Sequence, residues 1–275
     1  MTEKHAATAS LDAGDINERI RQLGRRRVLE LPQMLDFHMW LDGKRLARQS
    51  CRVVGESRTG KTISCNTYRL KSKVTQIPGE APHIPVLYWH CPEHLSVSRL
   101  FTGLLELTHY QATRGRIPEL RERVYQVLGS CQVEMLILDE AQRVNAQALS
   151  EIRDISDILE IAVVLVGTDR LNTVIQRDDQ VLYRFLSTYR FSHLGSEELR
   201  EMTALWEEHI LQLPEPSNLA NEKAQHLLSQ ATRGYIGVLD QILCEAAIRT
   251  LQTGKSCITL PTLRQVVKEC TLVIK

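Results

Sequence analysis

An α/β fold is predicted for this chain: a five-stranded parallel sheet flanked by helices, followed by a smaller all-helical part. Strand-like and helix-like segments alternate as far as residue 195, and only helical periodicity follows. A glycine-bearing octapeptide sits directly behind one strand, and a later apolar run ends abruptly in two carboxylates. Both are marks of a parallel sheet whose strand ends open on a site.

Residues 1–30 read as an N-terminal segment, and 31–195 as the α/β core. A helix is predicted over 35–47, carrying Leu35, Met39 and Leu46 inward with Lys44, Arg45 and Arg48 on its solvated side. The strand Cys51–Val54 follows, then the octapeptide and a helix over 63–70. Further strands are predicted over 84–89, 135–138, 161–166 and, briefly, 189–192. Helices over 95–110, 117–128 and 146–159 separate them, and one more ends near Arg184. After Gly195, Ser196-Glu197-Glu198 supplies an N-cap with first-turn acids and opens a helix to about residue 213, where Pro214 and Pro216 stop it. Helices over 222–231, 236–251 and, after the Pro261 start signal, 262–270 complete a small helical lid, 196–275.

The octapeptide is Gly55-Glu56-Ser57-Arg58-Thr59-Gly60-Lys61-Thr62. In the pattern G-x-x-x-x-G-K-[ST] the glycines let the backbone curl around phosphates, and the following helix offers the positive end of its dipole. Lys61 would reach the β- and γ-phosphates of ATP, and the Thr62 hydroxyl would hold Mg²⁺. The apolar run Glu134-Met135-Leu136-Ile137-Leu138 ends in Asp139-Glu140. Asp139 is the candidate for the Mg²⁺ shell, and Glu140, one residue past the strand, for aligning and deprotonating a water. Taken alone, two acids at a strand end also suit the first turn of a helix. The strand 161–166 ends in Gly167-Thr168-Asp169, where Thr168 either senses the γ-phosphate and positions the water or caps the next helix. Arg184 is placed to reach a neighbouring subunit's nucleotide, with Arg190 the competing candidate.

With 275 residues, 43% hydrophobic and 24% charged, the chain has enough apolar content for a large core, which excludes a disordered protein. The polar stretch from Met1 to Asp15 has no apolar h-region, and no later run reaches the roughly 20 residues of a spanning helix. No membrane contact and a cytoplasmic location are expected. Seven scattered cysteines without a C-x-x-C pair point to reduced thiols rather than disulfides or zinc. His90-Cys91-Pro92-Glu93-His94 resembles a metal cluster but reads as the loop after a strand.

A net charge of +1 excludes coating of polyanions through bulk electrostatics, so any nucleic-acid contact is local. Basic residues cluster at Arg19, Arg21, Arg25, Arg26 and Arg27, at Lys44, Arg45 and Arg48, and at Arg114, Arg116, Arg121 and Arg123. Solvated helix faces account for most of these. The loop Thr113-Arg114-Gly115-Arg116 differs, since cations on a flexible backbone between two helices can meet phosphates.

The stretches Cys51–Thr62 (CRVVGESRTGKT), Val133–Glu140 (VEMLILDE), Ile161–Arg170 (IAVVLVGTDR) and Glu245–Arg249 (EAAIR) together resemble the TnsC-type AAA+ regulators of Tn7-like and CRISPR-associated transposons. The likeness runs from about Leu31 to the end. It implies an AAA+ P-loop NTPase that hydrolyses ATP with Mg²⁺, a five-stranded sheet and a helical lid. It further implies binding of ATP between subunits, a helical filament or ring around double-stranded DNA, and a link between a TniQ-type adaptor and a TnsB-type transposase. The family's DNA-facing elements fall, by position, on Ser98-Arg99 and on Thr113 to Arg116, so Arg99, Thr113, Arg114 and Arg116 are the candidate DNA contacts. Ser98 stands where a relative has lysine, and Arg116 where it has threonine. In the lid, Gly237 occupies the position of the arginine that many AAA+ proteins set against the γ-phosphate.

The expectation is therefore an ATP-dependent regulator of transposition that oligomerises on DNA, with hydrolysis controlling disassembly. An AAA+ helicase loader and a protein-only signalling switch are the alternatives.

Overall fold

A computed structural model of the chain describes residues 13–25 and 28–271; Arg26 and Arg27 of the first basic cluster lie outside the described residues. Two compact units emerge. Glu30–Ser192 forms one, and the described residues of Met1–Leu29 and His193–Lys275 form the other.

In chain order the elements are α1 (Ala13–Gly24), α2 (Pro32–Leu46), β1 (Cys51–Val54), α3 (Lys61–Lys71), β2 (Val86–His90), α4 (Val97–Leu107), α5 (Ile117–Ser130) and β3 (Met135–Asp139). They continue with a 3₁₀ turn (Ala141–Arg143), α6 (Ala146–Leu159), β4 (Ala162–Gly167), α7 (Arg170–Ile175), α8 (Asp179–Arg184) and β5 (Thr188–Arg190). The second unit adds α9 (Ser196–Trp206), a π turn (Glu207–Leu211), α10 (Glu222–Thr232), α11 (Ile236–Gln252) and α12 (Leu260–Thr271).

The five strands of the larger unit run in the order β2-β3-β4-β1-β5, every pairing parallel. β3 and β4 are buried along their whole length, as central strands covered on both faces must be. Successive side chains of each strand enter different cores. Leu136, Leu138, Val163 and Leu165 join the cluster of α4, α5 and α6, whereas Met135, Ile137, Val164 and Val166 join the cluster of α2 and α3. β5 is a three-residue edge strand whose two end residues are exposed, a shape that discourages further pairing. Strand β2 starts later than the hydrophobic run suggests. Pro85 has no N–H for the ladder, and its carbonyl instead accepts from Glu134 N at 2.9 Å and Met135 N at 3.0 Å.

Helix α2 turns the opposite face inward from the one its sequence suggests. Leu35, Met39 and Leu46 are 42%, 66% and 80% exposed, while Met34, Phe37, His38 and Leu41 are buried. Both stripes have helical spacing, and the choice is made by aromatic partners distant in sequence. Phe37 packs on Tyr189 and Phe191 with ring centroids 5.0 Å away in each case. Because Phe37 has no exposed surface, Phe37→Ala is expected to destabilise the larger unit by about 3–5 kcal/mol, read as a lower midpoint in urea unfolding. Leu46→Ala, on the wet face, should leave that midpoint within about 0.5 kcal/mol of the parent.

In the second unit, α1 packs on α11 rather than standing apart as a separate segment. Arg19 donates from Nη2 to the Leu211 carbonyl at 2.7 Å, answering a carbonyl left over at the end of the π turn. The Glu207 carboxylate accepts the N–H groups of Ser217, Asn218 and Leu219, fixing the proline-bearing chain that leaves that turn. Among the described residues no helix is long and apolar enough to cross a membrane. All seven cysteines are free, and burial raises the Cys51 thiol to about 12.

Candidate nucleotide site

The loop after β1 and the C-terminal ends of β3 and β4 lie side by side, because β4 pairs with both β1 and β3. This is where an open parallel sheet offers a crevice. Gly55 is glycine for want of space: a Cβ there would come within 2.6 Å of the Phe191 carbonyl oxygen. Gly60 is glycine for its backbone, at φ 97°, and it opens α3 with no side chain capping the first turn. The first N–H groups of α3 are thereby left for an anion. Between the two glycines Glu56, Ser57 and Arg58 are exposed, and the Thr59 hydroxyl closes the loop by donating to the Glu56 carbonyl at 2.8 Å.

Lys61 is 6% exposed, and its ammonium donates to the carbonyls of Gly55 at 2.8 Å and Glu56 at 2.6 Å. Burial lowers its pKa, and Asp139 and Glu140 oppose that shift. An ammonium has three N–H donors, so one remains for a phosphate after the loop carbonyls are served.

Asp139 has no exposed surface. Its Oδ2 accepts from the Thr62 hydroxyl at 2.7 Å and from the Tyr88 hydroxyl at 2.8 Å, and its Oδ1 accepts the Glu140 N–H at 2.9 Å. His90 Nδ1, from the adjoining strand end, is 3.6 Å from Oδ2. Burial and the neighbouring carboxylate together raise the Tyr88 phenol, keeping it a donor. A buried carboxylate beside a hydroxyl is the hard-oxygen pair Mg²⁺ takes, so Thr62 and Asp139 fit that ion. Tyr88 and His90 are site residues that the sequence reading missed. Strand alternation gives them a face, but only the pairing of β2 with β3, which sets His90 opposite Asp139, shows what they meet. In the His90-Cys91-Pro92-Glu93-His94 segment, His90 ends β2 and the remaining four residues follow the strand.

Glu140 stands in the left-handed region at φ 57° and its side chain is 26% exposed. Its Oε2 accepts from Gln142 Nε2 at 2.7 Å, and Arg143 Nη2 is 3.8 Å away. Left-handed backbone at a non-glycine residue directly after a strand is costly and is retained where it aims a side chain. The Thr168 hydroxyl is buried and has no hydrogen-bond partner among the described residues, and no side chain caps α7. Capping is therefore not what Thr168 does in this structure.

The two candidate arginines differ in setting. Arg190 follows β1's register, opposite Val54, and grips Asp169 with both terminal nitrogens at 2.9 and 3.4 Å. Arg184 ends α8 and pairs with Asp157 of α6.

A sequence model described as Bacterial TniB protein matches residues 24–192. The chain belongs to the TniB family. It is accordingly an AAA+ P-loop ATPase of a family tied to DNA transposition, which accords with the Lys61, Asp139 and Glu140 arrangement. No curated protein matches the TniB chain in sequence. Solved structures share its fold. The Aeropyrum pernix ORC2 protein, in ADPNP and ADP complexes, superposes with TM-score 0.68 at 14% identity, covering 90% of this chain and 71% of that one. The Aeropyrum pernix ORC1 protein in complex with DNA gives 0.66 at 16% identity, with coverages of 91% and 69%. Cdc6p from Pyrobaculum aerophilum gives 0.66 at 16%, with coverages of 90% and 68%.

The candidate DNA residues gather on the α4–α5 pair. Arg99, in the first turn of α4, and Arg114 and Arg116, in the loop before α5, are exposed, and their side chains make no ion pair or hydrogen bond among the described residues. The loop itself is braced. Thr102 donates to the Thr113 carbonyl at 3.3 Å, and Arg123 to the Arg114 carbonyl at 2.7 Å. Other cluster members have partners of their own: Arg45 and Arg48 pair with Glu134, Arg121 pairs with Glu151, and Lys44 donates to the Gln49 amide oxygen.

Proposed function

We propose that this TniB protein is an ATP-dependent regulator of DNA transposition that assembles on double-stranded DNA and joins a TniQ-type target-selection adaptor to a TnsB-type transposase. Hydrolysis then sets the lifetime of the assembly. The observation that carries this reading is the convergence of Lys61, Thr62, Asp139 and Glu140 at the strand ends of the unit that also bears the uncommitted arginines 99, 114 and 116. When bound, Mg²⁺ would draw charge from the phosphate oxygens, and Thr62 and Asp139 are the residues that would hold it. Lys61 binds the phosphates, and Glu140 takes the proton of the attacking water. Thr168, at the end of β4, senses the γ-phosphate.

Arg184, at the end of α8, is the arginine offered to a neighbouring copy, where it would exchange its own Asp157 for that copy's nucleotide; Arg190, paired with Asp169 beside β1, is the competing candidate. A head-to-tail contact of this kind, if its rotation does not close, builds a helical filament rather than a ring. The Aeropyrum pernix ORC1 structure, which shares the fold, contains DNA. Contact with DNA here is to phosphates, so it needs no base-reading element and few net charges.

Salt titration tests this. With a non-hydrolysable ATP analogue, affinity for a labelled duplex should fall steeply with salt, and Arg114→Ala or Arg116→Ala should each flatten the log–log slope by about 0.9. Binding that is indifferent to nucleotide, or a slope that neither substitution changes, would remove the α4–α5 arginines from the reading. Negative-stain electron microscopy of the same mixture should show filaments only with nucleotide and DNA together.

A further inference from the structure

Behind Glu140 the chain makes a contact that the roles above do not use. The 3₁₀ turn Ala141–Arg143 is tighter than an α-helix, and it folds Gln142 back across the end of β4. There the amide does two things. Nε2 donates to Glu140 Oε2 at 2.7 Å, and Oε1 lies against the backbone of Gly167.

Gly167 is informative because its backbone does not call for glycine. It has no positive φ, yet a Cβ built on it would stand 2.3 Å from Gln142 Oε1 and 3.3 Å from Leu171 Cβ. A Cβ at this position would displace the Gln142 amide from where it now lies. The corner is polar as well as tight. Gln142 Oε1, Thr168 Oγ1 and Asn172 Oδ1 are all buried without hydrogen-bond partners among the described residues; they come from the 3₁₀ turn, the residue after β4 and α7, and the turn, β4 and α7 contact one another. A buried amide oxygen left unpaired costs about 1–3 kcal/mol, so packing alone does not favour glutamine at 142.

Arg143 adds a longer-range ion pair to the same carboxylate oxygen. Its Nη2 is 3.8 Å from Glu140 Oε2, while its Nη1 donates to the Cys91 carbonyl at 3.0 Å. Oε1 of Glu140 makes no hydrogen bond among the described residues. One oxygen of the carboxylate is thus hydrogen-bonded and the other is left without a partner among the described residues.

We propose that Gln142 is the positioning residue of the hydrolytic site: it clamps Oε2 so that Oε1 of Glu140 faces the attacking water, and Gly167 is glycine to admit the amide. This rests on reading Glu140 as the base.

Three variants test it: Gln142→Ala, the same-shaped Gln142→Glu, and Gly167→Ala. ATP affinity and the melting temperature should stay at parent values in all three, while kcat on DNA falls roughly tenfold to hundredfold, the scale of an ångström-sized misplacement. Gln142→Glu, which replaces the donor by a like charge, should fall at least as far as Gln142→Ala, and it decides the matter if the alanine variant does not fold. On a Glu140→Gln background, Gln142→Ala should slow residual single-turnover hydrolysis no further, since a clamp has no effect without its carboxylate. Gln142 variants within twofold of parent kcat, a parallel loss of ATP affinity and melting temperature, or an undiminished effect on the Glu140→Gln background would each overturn the clamp. Parent-rate hydrolysis by Glu140→Gln alone would overturn the base assignment and the clamp with it. An inactive Glu140→Gln beside fully active Gln142 variants would overturn the clamp only.

Discussion

Lys61→Ala is expected to weaken ATP binding at least 100-fold and to abolish nucleotide-dependent DNA binding altogether. The ammonium makes two contacts in the resting loop, to the Gly55 and Glu56 carbonyls, and keeps a third donor for phosphate. Hydrogen bonds to a charged group contribute about 1.5–3 kcal/mol each, so losing the phosphate contact together with the brace that shapes the loop passes the roughly 2.8 kcal/mol that a 100-fold change requires. Thermal melting gives the cleanest measure. At a ligand concentration 100 times the parent Kd, ATP should stabilise the parent by about 2.7 kcal/mol, and a 100-fold weaker site would retain about 0.4 kcal/mol of that. A variant that melts cooperatively without nucleotide and shows no shift with ATP fits the assignment. An unchanged ATP shift would remove Lys61 from the phosphate site.

Much of the fold was legible because its signals are local. β3 reads as a buried strand because all five of its residues, including Asp139, are covered on both faces, which leaves an uninterrupted apolar run up to the acids. The phosphate loop was legible through two glycines with separate physical reasons, close approach at Gly55 and positive φ at Gly60. What escaped depends on partners far along the chain. The inward face of α2 is chosen by Tyr189 and Phe191, some 150 residues later, and two helical stripes of equal spacing offer no local way to rank them. Tyr88 and His90 become site residues only once β2 lies beside β3. The packing of α1 on α11 is equally non-local, and the sequence reading places no helix in the polar N-terminal segment. Gln142 is a different case. It stands two residues after Glu140, in plain view, but its meaning comes from a turn that is 3₁₀ rather than α and from a bare Gly167 across the way.

Glu140→Gln is expected to lower ATP hydrolysis by about 10²- to 10⁴-fold while leaving ATP and DNA binding intact, the range associated with removing a general base. The structure explains why binding should survive. Glutamine has the shape of glutamate, its carbonyl oxygen can still accept from Gln142 Nε2, and the left-handed turn at φ 57° is set by the backbone and by the Glu140 N–H held on Asp139. Only the proton acceptor is lost. Asp139→Asn should behave otherwise, since the fully buried Asp139 gathers Thr62, Tyr88 and the Glu140 N–H around one carboxylate, and its loss disturbs both the ion-binding pair and the turn. The two acids are adjacent in sequence but sit in different surroundings, one enclosed and one 26% exposed, which is the arrangement expected when one holds a cation and the other handles water. With ATP unspent, assemblies of Glu140→Gln on DNA should persist on dilution as the parent's do with a non-hydrolysable analogue, measured as a slowed release of labelled duplex. Release at the parent rate despite blocked hydrolysis would detach turnover from disassembly, because a nucleotide shifts an assembly equilibrium only through the difference between its bound states.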